Sequence, residues 1–84
     1  MIQFKNVAEA EEYLEQEYVN KILQVKYYVK YKENPGERIY TGKLDRLAID
    51  SATKNPPVII LIFNDGKRFE VDKDEFFDLV TKLN

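Results

Sequence analysis

Cations and aromatic rings alternate in one run of this chain, Lys26-Tyr27-Tyr28-Val29-Lys30-Tyr31-Lys32. In a β-strand successive side chains point to opposite faces, so Val25, Tyr27, Val29 and Tyr31 share one side and Lys26, Tyr28, Lys30 and Lys32 the other. The second set can stack a nucleobase on Tyr28 and hold phosphates with the lysines, each stacked base contributing about 1–3 kcal/mol. Tyr40 and Lys43, on the strand that follows, are its expected neighbours. Lysines on an outer strand face also have a plainer use, discouraging edge-to-edge aggregation, and Glu33, Glu37 and Glu70 offset their charge from adjoining positions. A second charged stretch has the opposite sign: Glu9, Glu11, Glu12, Glu15 and Glu17 follow one another without a basic residue between them. Through Glu11, Glu12 and Glu15 it would meet a basic protein partner or imitate a run of phosphates, and a solvated helix face explains the same residues.

Other chemistry is thinly supplied. The chain has no His, Cys or Trp and a single serine, Ser51, which excludes disulfides, thiolate metal sites and triads built on His or Cys. Asp72, Asp74, Glu75 and Asp78 crowd one segment, but a calcium loop counted from Asp72 needs glycine where Phe77 stands; helix capping accounts for these acids. Gly36, Gly42 and Gly66 are isolated, so no phosphate cradle is present. Asp45, Asp50 and Asp65 would have to converge for acid–base work, and nothing in their spacing aims them at one point. The expectation is a non-enzymatic protein with no metal and no cofactor.

The elements that must position these residues follow from periodicity. Asn6 and Glu9 have capping-box spacing, and Val7, Ala10, Leu14 and Tyr18 form one stripe, with Tyr13 at its edge, predicting a helix over 6–19. Period-2 alternation over 22–32 predicts a half-buried strand. Asn34-Pro35-Gly36 supplies a turn, and a second strand over 37–49 changes parity between Gly42 and Leu47, with Gly42 the expected bulge or bend. Residues 50–57 read as a loop. Val58 to Phe63 is apolar on both parities, as in a strand covered on both faces, and Asp65-Gly66 is a hairpin signal of type I′ joining strands 58–64 and 67–72. Asp72 and Glu75 then cap a terminal helix over 73–83, with Phe76, Leu79, Val80 and Leu83 as its stripe.

These elements make one α+β domain over 1–84: a small four-stranded antiparallel sheet, or a bent SH3/Sm-like barrel, with an N-terminal and a C-terminal helix. Ile, Leu, Val and Phe make up 26 of 84 residues, well above the roughly 20% below which chains stay disordered. The rhythm of Tyr40-Thr41-Gly42-Lys43-Leu44, an apolar strand and Asp65-Gly66-Lys67-Arg68-Phe69 resembles that of small SH3-like or Sm-like barrels over about half the chain. The resemblance implies a fold and brings no ligand residues with it.

Thirteen basic and fifteen acidic side chains give a net charge of −2. Its distribution is uneven: −4 over residues 1–20, +4 over 21–46 and −2 over 47–84. The longest apolar run is the six residues Val58–Phe63, against about 20 for a membrane-spanning helix; with no signal-like N-terminus, a cytoplasmic location is expected. The functional expectation is a module acting through a protein-binding surface, with another protein or a second copy as partner. The alternative is single-stranded nucleic-acid binding through the Lys/Tyr face.

Overall fold

The computed structural model describes residues 6–30 and 32–83; Tyr31, expected on the inward side of the first strand, lies outside them. Its elements are α1 (Val7–Tyr18), β1 (Ile22–Val29), β2 (Gly36–Asp50), β3 (Val58–Phe63), β4 (Arg68–Asp72), α2 (Phe76–Leu79) and β5 (Val80–Lys82). The five strands form one antiparallel sheet in the order β4-β3-β2-β1-β5. No helix among the described residues is long and apolar enough to cross a membrane.

Local chemistry sets the first half. The Asn6 side chain accepts the Glu9 N–H at 2.8 Å and starts α1. Asn20, at φ 68°, ends it in the left-handed region, which Asn tolerates better than most residues. Gly36, at φ 139°, serves the turn into β2 as its neighbours Asn34 and Pro35 predict, and Arg38 pins that turn by donating to the Asn34 carbonyl at 2.9 Å.

β2 carries the architecture. Its first part pairs with β1, from Val29↔Gly36 to Ile22↔Lys43, and its second part pairs with β3, from Leu44↔Phe63 to Asp50↔Val58. The register shifts between Leu44 and Arg46, so the extra residue is Asp45, inside the interval where parity changes. Gly42 is not the bulge: it pairs regularly with Leu23, and the space above it holds the Tyr40 and Phe63 rings. Glycine there makes room for an aromatic ring.

Three further expectations change. The connection between β3 and β4 is not a two-residue type I′ turn: the Phe63 N–H donates to the Lys67 carbonyl and the Gly66 N–H to the Phe63 carbonyl, each at 2.9 Å. Gly66 is at φ 89° while Asp65 is not left-handed, which is the three-residue connection with glycine at its left-handed position. The terminal helix over 73–83 is a single turn, without a side-chain cap from Glu75, followed by β5. Val80 is buried in a strand instead: β1 offers an edge, Leu23↔Lys82 and Val25↔Val80 pair along it, and Leu83 follows β5 as an exposed residue. The sheet therefore has five strands rather than four. Among the described residues no ladder joins β4 to β5, so it is open where a barrel would close.

The core lies on the inner face of this bent sheet. Leu14 of α1, Leu23 and Val25 of β1, Leu44 and Leu47 of β2, Ile59, Leu61 and Phe63 of β3, Val71 of β4, Phe76 of α2 and Val80 of β5 form one cluster. β3 is not sealed on both sides. Ile59, Leu61 and Phe63 are buried inward, whereas Ile60 and Ile62 on the outer side are half-buried.

Candidate interaction surfaces

The β1–β5 ladder stops at Val25 and the β2–β3 ladder at Leu44. From Lys26 to Val29, and opposite from Gly36 to Ile39, the hairpin continues with ladder partners, among the described residues, only between its own two strands. Lys26 faces Ile39 and Tyr28 faces Glu37 across this extension. Directly opposed Cβ atoms in an antiparallel pair stand about 4.5–5.5 Å apart, and diagonal ones are within reach of an aromatic ring. Tyr28 and Ile39 are therefore one patch on the outer face, 64% and 55% exposed. Lys26 and Lys30 are exposed beside it, and Lys32 is exposed in the segment beyond.

Two other residues expected here are elsewhere. Lys43 is exposed on the same outer face but pairs with Ile22, four residues along β2 from Ile39, or about 13 Å. Tyr40 points to the opposite face, because it alternates with Ile39 and its partner Val25 belongs to the core. Its ring packs on Phe63 and Phe69 with centroids at 4.8 and 5.4 Å, and Tyr27 joins Phe69 at 5.1 Å. The Tyr40 hydroxyl donates to Asp65 Oδ2, while the Lys67 N–H donates to Asp65 Oδ1 at 2.9 Å. The Tyr40 bond is the main cause holding the Asp65 carboxyl below its ordinary value; the same bond, followed by burial, pushes the Tyr40 phenol up to about 12. This aromatic group with its one polar bond joins the hairpin to the β3–β4 turn. It is structural, and it leaves Tyr28 as the ring on the outer face.

The acidic residues also separate by role. Antiparallel pairing aims backbone groups alternately towards and away from the neighbour. On the β2–β3 ladder the Asn64 N–H donates to the Lys43 carbonyl at 3.0 Å, so beyond the bulge the Ile49 N–H points away from β3. Glu11 Oε2 accepts it at 2.9 Å, in a partly buried position. Glu11 thus covers the edge that β1 leaves and docks α1 on β2, a role no sequence spacing announces, since the partners are 38 positions apart. Glu17 approaches Lys82 at 3.4 Å, and that ammonium stands 5.7 Å from the centre of the Tyr18 ring. Glu12 and Glu15 remain exposed.

Glu15 lines a groove of about 350 Å³ with Val19, Asp45, Arg46, Leu47, Ala48, Ile60 and Ile62. Its apolar lining includes the half-buried outer side of β3, and Asp45 is presented there by the bulge, 3.4 Å from Arg46. The carboxylates whose convergence acid–base work would need are each engaged locally: Asp45 with Arg46, Asp50 with the Ala52 and Thr53 N–H groups and the Thr53 hydroxyl, and Asp65 with Tyr40 and Lys67. Thr53 lowers the Asp50 pKa through its hydroxyl and its backbone N–H. Among the described residues no group of three or more acids gathers as a metal site would require. Comparison of the chain with protein-family models, with curated proteins and with solved structures returns no match.

Proposed function

We propose that this chain is a non-enzymatic binding module that contacts another protein chain through the outer face of the β1–β2 extension. One observation carries the reading: an 84-residue chain leaves a tyrosine and an isoleucine side by side in water on a hairpin that runs past its neighbouring strands. A small domain needs its apolar surface for its own core, and an exposed apolar patch rimmed by charge is the usual form of a contact surface. The way β2 pairs with β1 through one half and with β3 through the other supports reading the sheet as a small barrel of SH3 or Sm type left open at one seam.

A photo-crosslinking residue at position 28, with the same residue at exposed Lys54 as control, tests the reading in cells. Protein adducts at 28 and none at 54 are the expected result; the absence of adducts at 28 would overturn it. A second reading rests on the exposed Tyr28 ring beside Lys26 and Lys30, which suits single-stranded nucleic acid. Nucleic-acid adducts at position 28, with binding that weakens steeply as salt rises, would put that reading first.

A further inference from the structure

The surface that complements the hairpin is present on the same chain. The extension presents an apolar ridge, Tyr28 with Ile39, flanked by Lys26 and Lys30, with exposed Glu37 opposite Tyr28. The groove presents an apolar lining, Val19, Ala48, Ile60 and Ile62, with Glu15 and the Asp45–Arg46 pair beside it; exposed Glu12 stands one helical turn before Glu15 on α1. Both surfaces are apolar at the centre, and the ridge's Lys26 and Lys30 outnumber Glu37 as the groove's Glu12, Glu15 and Asp45 outnumber Arg46. Ile39 and Arg46 are seven residues apart on β2, roughly 20 Å, so a molecule cannot seat its own ridge in its own groove.

We infer that the hairpin's partner is a second copy of this chain, whose α1/β2–β3 groove receives Tyr28 and Ile39 while Glu15 and Glu12 face Lys26 and Lys30. The inference rests on the hairpin being a protein contact, as proposed above. Because the two surfaces differ, the contact is head-to-tail: each molecule offers a ridge at one end and a groove at the other. Repeated, such a contact builds a ring if the rotation closes and a filament if it does not.

Charge exchange tests this directly, with surface substitutions that leave the core untouched. Sedimentation of the wild-type chain over a range from micromolar to near-millimolar should show mass rising with concentration. Lys26→Glu with Lys30→Glu gives an acidic hairpin beside an acidic groove, and Glu12→Lys with Glu15→Lys gives a basic hairpin beside a basic groove. Each double variant alone should associate at least roughly tenfold more weakly, because like charges then oppose across the contact. Mixed one to one, the two should assemble again in alternating order. A wild type that stays monomeric throughout, or a mixture that stays monomeric, overturns the inference. Failure of the hairpin reading itself looks different: in that case position 28 crosslinks to no protein, whereas adducts to a different protein would retain that reading and remove only the second copy as partner.

Discussion

At its base the β1–β2 hairpin holds Leu23, Val25 and Leu44 at 0% exposure in one cluster with Leu14 of α1 and Phe76 of α2, whereas at its far end Tyr28 and Ile39 are 64% and 55% exposed. The two ends share a ladder, a twist and the same alternation of side chains. They differ in what lies beside them, and the buried and exposed sets stand on opposite faces of the sheet. At the base, β5 flanks β1 and α1 packs on β2, so each apolar side chain gains the roughly 25 cal/mol per Å² that burial contributes. At the far end neither strand has an outer neighbour among the described residues, and the apolar side chains on the outer face gain nothing of the kind. The base accounts for stability; the far end is the part of the hairpin available to a partner.

The largest effect that tests this contrast is expected in the core. Leu61→Ala removes a fully buried side chain from β3 and should cost about 2–5 kcal/mol in a urea titration, a large share of what a domain of this size has. A loss below about 1 kcal/mol would show that the core cluster the base belongs to is not packed as described.

Next comes the junction between the two ends. A Cβ on residue 42 would stand 2.9 Å from Tyr40 Cε2 and Oη and 3.2 Å from Phe63 Cδ1. Gly42→Ala should therefore destabilise by about 1–3 kcal/mol, and by clearly less in a Tyr40→Ala background, where the clashing ring is gone. Equal losses in both backgrounds would place the cost in the backbone instead.

A smaller effect is expected from the bond between Tyr40 and Asp65, and it has a defined pH window. Asp65 titrates below its ordinary 3.8 in the folded chain, so its contribution is present above that value and is lost as pH falls through the lowered pKa. Tyr40 titrates above its ordinary 10.0, at about 12, so its contribution is present below 10 and is lost as pH rises towards 12. Stability measured against pH should thus be highest between about pH 5 and 9. Tyr40→Phe should lower that plateau and remove this pair's share of the fall on both sides; unchanged slopes would mean the bond does not form in solution.

Smallest of all is the expected change at the far end. Tyr28→Ser should alter folding stability by no more than about 0.5 kcal/mol, as at other open surface positions, while weakening association at the hairpin. A loss as large as that of Leu61→Ala would erase the distinction between the two ends.

Most of the secondary structure was legible because its causes are local. Asn6 caps its own helix, Gly36 and Gly66 take the left-handed conformations their turns need, and the parity change after Gly42 locates the bulge to within a few residues. What misled is equally local. Phe76, Leu79, Val80 and Leu83 have helical spacing, yet a three-residue ladder with β1 converts the last turns into β5. Of the residues expected to bind nucleic acid, Lys26, Tyr28 and Lys30 gather at the far end of the hairpin and Lys43 lies further along the same face. Tyr40 lies on the opposite face, because strand parity alone does not say which alternate face is the core. Of the acidic set, Glu12 and Glu15 remain on the surface while Glu11 is used to hold α1.

By itself the sequence determined what is short-ranged in this protein: its caps, its turns, the alternation along its strands and the toolbox from which His and Cys are missing. Tertiary structure alone decided which strand lies beside which, that β1 and β2 extend beyond their neighbours, that Glu11 meets Ile49 from 38 positions away, and that Ile60 and Ile62 of β3 line a groove. The reason is physical. Periodicity and turn chemistry are written in neighbouring residues, whereas an edge, a groove or an exposed ridge exists only once distant segments have packed and left something uncovered.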